Sequence, residues 1–389
     1  MKRKYWKNIV CLLALLALLT GCGNQAPKST GTTGNGNGSE VDYNQYINAN
    51  GSYAVTDSAY FICDAGKLQF LESSLQSPVT LLCAKADCDH QDPDQCSAYL
   101  PLGSPSLYTW NGALYYDVCE AGKISIYQMD LSGQNRKLAA TLPIVSETGS
   151  LAYLMDLACG HLEITFYDDT PAGEVITIYL FSMEDLTAEP VEVYTNRNEV
   201  SAQAELQENL PRPAPVCLSQ DWTFYCLEMG EPGARKYDLY GYQISTGENK
   251  LLVKDDFYPP DDLSAVGNEL HWYDTDGALY TVDLTTGACT KNADIPVDPE
   301  EYGALDDQWL YVTGGTSKET AEVAVYALDG TEVQRLSCAD IGTPLGYAFS
   351  TADRVFFREA GFSNMDPICY LEKSALSRKN GELIPLKSE

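Results

Sequence analysis

The chain has 389 residues, of which 25 are Lys or Arg and 55 are Asp or Glu, so its net charge is −30 at pH 7. A surface this acidic repels the phosphates of nucleic acids and the headgroups of anionic lipids, which excludes both as direct ligands of the folded part. The hydrophobic fraction of 44% is ordinary, while 26 tyrosines favour half-buried β-strands.

Residues 1–21 have the pattern of a bacterial export signal, and they begin with four basic residues, Lys2, Arg3, Lys4 and Lys7. The apolar run at 9–19 is shorter than the roughly 20 residues that a membrane-spanning helix needs. It ends in Leu-Thr-Gly-Cys at 19–22, which resembles the lipobox of bacterial lipoproteins. The resemblance implies that Cys22 receives a lipid and becomes the first mature residue; a secretory signal with a chance cysteine is the alternative. We therefore expect a protein held at the cell membrane by its lipid and facing outside the cytoplasm.

Residues 22–50 have the composition of a flexible tether, with Gly-Thr-Thr-Gly-Asn-Gly-Asn-Gly at 31–38 as its centre. Small polar residues and repeated glycines cannot bury a core. A coil of this length has an r.m.s. span of about 30 Å, so we expect the folded part, 51–389, to stand away from the membrane.

The folded part contains an internal repeat of two strand-like elements joined by a polar hairpin. The first element is an aromatic strand, clearest at 112–116, 221–225, 269–273, 308–311 and 354–357. The second contains a tyrosine, and successive units are marked by Tyr127, Tyr179, Tyr240, Tyr280, Tyr326 and Tyr370 at intervals of 40 to 61 residues. Asp-Gly and Thr-Gly turns between alternating apolar and polar residues are typical of antiparallel hairpins.

This period predicts an all-β chain folded as a β-propeller with seven four-stranded blades. The predicted units are about 52–100, 104–143, 150–195, 214–256, 263–295, 302–340 and 345–387. Six or eight blades, or a tandem of β-sandwiches, are the structural alternatives.

The segment His-Trp-Tyr-Asp-Thr-Asp-Gly-Ala-Leu-Tyr-Thr-Val-Asp-Leu-Thr-Thr-Gly at 271–287 resembles one blade of the YWTD-type and quinoprotein-type propellers. Over most of 52–387 the chain resembles bacterial propeller lipoproteins with a cysteine-rich element. Because Cys289 and Lys250 stand where quinoprotein blades carry a tryptophan, we expect no quinone cofactor. Propellers host binding scaffolds, hydrolases and lyases alike, so the fold does not name a function.

A cysteine- and histidine-rich insert at about 83–96 is the one concentrated group of candidate ligands: Cys83, Cys88, His90 and Cys96. Three thiolates and an imidazole match the four tetrahedral ligands of a structural zinc. A disulfide from Cys96 to Cys83 or Cys88 is equally natural in an exported protein, and free thiols are the third possibility. Each alternative makes the insert a local clasp between the first two blades.

We assign no catalytic residue from the sequence. The common hydrolase motifs Gly-x-Ser-x-Gly and His-Glu-x-x-His are absent. His161 and His271 lie in strand-like segments, where packing is the simpler role, and Asp274-Thr-Asp-Gly277 is better interpreted as a hairpin turn than as a calcium loop. Four tryptophans are assigned to packing in or beside inner strands: Trp110, Trp222, Trp272 and Trp309.

These observations favour a membrane-anchored, extracytoplasmic propeller that acts as a binding or scaffolding module. Its expected ligand is an unidentified protein, peptide or carbohydrate. The alternative is a glycan hydrolase or lyase with its site at the propeller mouth, and a structural zinc is the one cofactor that the sequence suggests.

Overall fold

The computed structural model describes residues 51–387 except 86, 93–94, 102–105, 147–150, 171–172, 197–211, 220, 230–235, 255–262, 275, 297–301, 318 and 362–364. The predicted signal and tether, and therefore Cys22, lie outside the described residues. Within the described ranges, no helix is both long and apolar enough to cross a bilayer.

The described chain forms seven four-stranded antiparallel sheets, each built from one contiguous segment with its strands in sequence order. Blade 1 contains β1 (Tyr53–Val55), β2 (Ala59–Asp64), β3 (Lys67–Glu72) and β4 (Thr80–Leu81). Blade 2 contains β5 (Leu107–Trp110), β6 (Ala113–Glu120), β7 (Lys123–Met129) and β8 (Lys137–Val145). Blade 3 contains β9 (Leu151–Ala158), β10 (His161–Thr170), β11 (Gly173–Ser182) and β12 (Val191–Thr195).

Blade 4 contains β13 (Arg212–Ser219), β14 (Trp222–Met229), β15 (Lys236–Gln243) and β16 (Glu248–Val253). Blade 5 contains β17 (Leu263–Val266), β18 (Glu269–Tyr273), β19 (Ala278–Asp283) and β20 (Cys289–Asp294). Blade 6 contains β21 (Tyr302–Leu305), β22 (Trp309–Gly314), β23 (Glu322–Ala327) and β24 (Glu332–Ser337). Blade 7 contains β25 (Leu345–Ser350), β26 (Arg354–Glu359), β27 (Pro367–Glu372) and β28 (Ile384–Pro385), with the short helix α1 (Lys373–Leu376) between the last two.

The first strands of successive sheets contact one another, as β1 does β5, β9 does β13 and β17 does β21. They are therefore the inner strands around the propeller axis, and the fourth strands are the outer edges. One buried hydrophobic cluster lies at each of the seven junctions between neighbouring blades. The predicted seven-bladed propeller is confirmed.

The six repeated tyrosines all lie in third strands, from β7 to β27. Three of the six stack on an aromatic partner in the second strand: Tyr127 on Tyr116 at 5.3 Å between ring centroids, Tyr240 on Tyr225 at 5.4 Å and Tyr280 on Trp272 at 5.0 Å. In blades 2 to 6 the pairing of the third and fourth strands shifts register at this tyrosine. The repeat in the sequence thus marks a cross-strand aromatic pair beside a β-bulge.

The aromatic strands of the repeat are second strands, so the tryptophans lie in or beside inner strands, as predicted. Only Trp110 ends an inner strand, whereas Trp222, Trp272 and Trp309 lie in β14, β18 and β22. The sequence pattern cannot distinguish a first strand from a second strand of a blade, because both kinds of strand are packed on two faces. All four indoles pack in the clusters between blades, as expected for core residues.

No sheet combines strands from the two ends of the described chain. Side-chain packing and side-chain hydrogen bonds therefore close the ring between blade 7 and blade 1. The Arg354 guanidinium of β26 donates to the hydroxyl of Tyr60 and to the carbonyl of Ser73, both at 3.1 Å, and to Glu372 at 3.0 Å. Tyr53 donates its hydroxyl to the carbonyl of Met365 at 2.8 Å. These bonds surround a buried aromatic cluster shared by the two blades.

Candidate metal centre

The insert leads from the outer strand of blade 1 to the inner strand of blade 2. Beyond Cys96 the chain returns to blade 1, where Leu68 N donates to the carbonyl of Ala98 and Leu100 N to the carbonyl of Gly66, both at 2.7 Å. Tyr99 forms an isolated antiparallel bridge with Lys67 at the start of β3. The insert is therefore fixed to the β2–β3 hairpin.

The structure brings the four predicted ligands together. The Sγ atoms of Cys83, Cys88 and Cys96 and a ring nitrogen of His90 all lie within 4.8 Å of one another. His90 Nδ1 is 3.4 Å from Cys96 Sγ. A tetrahedral zinc with Zn–S bonds of about 2.3 Å separates its sulfur ligands by about 3.8 Å, so small side-chain movements suffice to complete the coordination.

Two turns of the backbone bring the ligands of this short segment together, one at His90 and one before Cys96. His90 adopts φ +57°, a left-handed conformation that is uncommon outside glycine and asparagine and that turns the chain sharply after Cys88. The Asp92 carbonyl then accepts the amides of Gln95 at 3.1 Å and Cys96 at 2.9 Å, which returns Cys96 toward the first two thiols.

Two of the three sulfurs accept hydrogen bonds from the insert. Ser97 Oγ donates to Cys83 Sγ and the amide of Ala98 donates to Cys96 Sγ, both at 3.4 Å. Burial raises the pKa of Cys83, but hydrogen bonds with Ser97, the Lys85 backbone and the other two thiols lower it to about 6. Burial and the neighbouring thiols raise the pKa of Cys96 to about 11. Of these two thiols, Cys83 is therefore the one that loses its proton more readily.

A side chain from blade 2 completes the clasp. Arg136, in the turn between β7 and β8, donates to the carbonyl of Tyr99 at 2.8 Å and also to that of Ser97. The insert is thus bonded to blade 1 through its backbone and to blade 2 through Arg136. A metal held by the cluster would fix this junction by joining the two halves of the insert.

The chemistry available to the cluster is structural. Four side chains that fill a tetrahedral shell leave no position for a substrate, so such a site binds and does not react. Cys83, Cys88 and Cys96 are free thiols in the structure. The same proximity would allow a bond from Cys96 to Cys83 or Cys88, so the disulfide stays the alternative to the metal.

The other candidate residues have packing or turn roles in the structure. His271 is 4% exposed, its Nδ1 lies 2.8 Å from Thr281 Oγ1, and burial lowers its pKa. His161 Nδ1 contacts the carbonyl of Cys159 at 3.1 Å. Asp274 Oδ1 accepts the amides of Asp276 at 3.0 Å and Ala278 at 2.8 Å, which is the geometry of a hairpin turn.

Buried carboxyl groups at the junctions of blades 2 to 4 were not predicted from the sequence. Asp117 is 3% exposed and accepts the amide of Ser106 at 2.6 Å and the hydroxyl of Tyr153. Glu163 is 2% exposed and accepts the hydroxyl of Thr223 from the next blade. Burial raises the pKa of both. An acidic residue in a strand otherwise indicates an exposed face, so no sequence signal marks these two.

The seven four-stranded sheets define the class of protein, a seven-bladed β-propeller. Neither a protein-family model nor a curated protein sequence matches the chain. Among solved structures, a chain from a study of two prolyl endopeptidases is similar, with 12% identity, a TM-score of 0.51, and coverage of 90% of this chain and 49% of that one.

Two further structures have lower TM-scores. PorZ, a bacterial surface component of the type-IX secretion system of Porphyromonas gingivalis, is 12% identical, with a TM-score of 0.47 over 88% of this chain and 38% of that one. The computationally designed Ika8 protein is 11% identical, with a TM-score of 0.45 over 88% of this chain and 96% of that one. At such identities the likeness is one of fold alone.

Proposed function

We propose that the protein is a lipid-anchored, extracytoplasmic propeller that binds a partner at its axis, with a zinc ion in the Cys83, Cys88, His90 and Cys96 cluster holding blades 1 and 2 together. Anchoring through Cys22 follows from the lipobox pattern at 19–22. The observation that carries the binding role is the exposure of apolar side chains on inner strands.

Tyr302, at the start of β21, is 71% exposed, and Leu154 of β9 is 54% exposed. Both belong to strands around the axis, and apart from Ala152 the other side chains described on the inner strands are buried or partly buried. An exposed tyrosine presents a rigid apolar ring with a polar end, which suits recognition of a protein or carbohydrate surface. These two residues mark the surface on which we place the ligand.

The buried carboxyl groups do not favour the rival role of a glycan hydrolase or lyase. A general acid must reach the substrate's leaving group within hydrogen-bond distance. Asp117 and Glu163 have the raised pKa of such an acid, but each is enclosed and bonded to a hydroxyl of a neighbouring blade. We assign both a structural role.

A photo-crosslinking amino acid at Tyr302 tests the binding role in cells. We expect one discrete adduct from position 302, and a weaker one when Leu154→Asp is added, because a charge on another inner strand disfavours apolar contact at the axis. The matched control places the crosslinker at Leu138, which is 51% exposed on the outer strand β8.

Adducts of equal yield from positions 302 and 138 would show that the axis is not a selective surface. New reducing ends released from a glycan by the purified chain would favour the hydrolase instead.

A further inference from the structure

The cluster is not sealed from solvent. Only Cys96 is buried, while Cys83, Cys88 and His90 are partly exposed. A cavity of about 490 Å³ opens directly beside it. Cys88 lines this cavity and also belongs to the cluster, so the cavity joins solvent to one of the four ligand residues.

The cavity wall is acidic. Its lining consists of Lys85, Asp87, Cys88, Asp89, Asp92 and Gln95, which is three carboxyl groups against one ammonium. The Lys85 ammonium is bonded to the carbonyl of Gln95, which holds its charge at one side of the cavity. A concave surface lined by negative charges concentrates cations and raises their association rates by about 10- to 1,000-fold.

From these two features we propose that the acidic cavity is the loading route of the metal centre: a divalent cation collects at Asp87, Asp89 and Asp92 and passes to the cluster through Cys88. This rests on the metal site proposed above and adds that the bound ion exchanges with the medium. The clasp between blades 1 and 2 then depends on the supply of free cation outside the cell.

The transfer is an exchange of ligands without oxidation. The cation loses water and carboxylate contacts in the cavity and gains the Cys88 sulfur, which releases its proton to solvent if it is a thiol. The remaining three ligands then complete the shell, and each thiol among them releases its proton to solvent as its sulfur binds the cation. A borderline-soft cation such as zinc binds more tightly to thiolates than to carboxylates, so transfer runs from the cavity to the cluster.

Association of Co²⁺ with the metal-free full chain, followed by stopped-flow absorbance of the Co²⁺–thiolate band, tests the route. The variant Asp87→Asn/Asp89→Asn/Asp92→Asn retains the four ligands and removes only the charge. We expect its association rate constant to fall about tenfold, its final absorbance to stay unchanged, and most of the salt dependence of the rate to disappear.

The control Glu184→Gln/Glu189→Gln/Glu248→Gln removes the same charge from exposed positions on blades 3 and 4 and should leave the rate within twofold. Equal rates for the cavity variant and the native chain, with a full Co²⁺ band in both, would overturn the loading route but not the metal site. Absence of the band in the native chain would overturn both.

Discussion

At the scale of single residues, Glu163 is the clearest case of a side chain in a costly environment. It lies in β10, is 2% exposed, and accepts the hydroxyl of Thr223 from the next blade. Burial and the carboxyl group of Asp156, its partner residue on β9, raise its pKa well above the usual range. A neutral carboxyl in this position bonds blades 3 and 4 without a buried charge.

The raised pKa fixes the sign of a pH effect on stability. The native state retains the Glu163 proton at pH values at which the unfolded chain has lost it, so the free energy of unfolding decreases as pH rises between the two pKa values. The slope reaches about 1.4 kcal/mol per pH unit. Glu163→Gln should reduce this slope in urea titrations from pH 5 to pH 8, and the exposed control Glu189→Gln should not. Equal slopes in the native chain and Glu163→Gln would contradict the assignment.

The ligand set could be predicted from the sequence, but its geometry could not. The four ligands lie within a short segment, so their proximity is local information. The left-handed backbone at His90 could not be assigned from its residue type, since few residues other than glycine adopt it. The bonds from Arg136 to Ser97 and Tyr99 join residues far apart in the chain, which no local pattern encodes.

At the scale of elements, the repeat predicted the second and third strands of most blades, left β3 of blade 1 unmarked, and missed much of the first and fourth strands. The inner strand β17 is half-buried along its whole length and shows no alternation. The outer strands β4 and β28 have only two residues each. The aromatic pair between second and third strands supplies the repeated signal, because both rings must be large and apolar to fill the same space between blades.

The arginine that joins blades 7 and 1 should contribute more to the free energy of unfolding than an arginine on an outer strand. Arg354 is 21% exposed and bonds two residues of blade 1, whereas Arg335 is 40% exposed and pairs with glutamates of its own blade. Arg354→Ala should lower the free energy of unfolding by about 2–3 kcal/mol, because it leaves buried acceptors unpaired.

Arg335→Ala is the matched control, and its expected cost is about 0–1 kcal/mol, as for exposed ion pairs. Urea unfolding of both variants compares them directly. Equal losses would mean that the ring does not depend on the polar contacts at its closure.

At the scale of the whole molecule, the propeller closes without a strand shared between its ends, so its stability is spread over seven similar junctions. The insert reinforces one of them. The chain's net charge of −30 agrees with the proposal that the folded part stands off a membrane, because acidic groups repel anionic headgroups.

The proposed tether leads to a prediction in cells. Cys22→Ser should move the protein from the membrane fraction to the soluble extracytoplasmic fraction, because the lipid supplies the attachment. Cys289→Ser, on an exposed thiol of blade 5, is the control and should stay with the membrane. Western blots of the two fractions measure the shift; unchanged membrane association of Cys22→Ser would contradict lipidation at this residue.

The metal content of the protein, purified without oxygen and with a parallel count of free thiols, tests the central claim most directly. We predict about one equivalent of zinc per chain, lost in Cys88→Ser/His90→Ala and retained in the control Cys289→Ser. A metal-free native protein with a bond from Cys96 to Cys83 or Cys88 would contradict the claim and make the insert a disulfide staple.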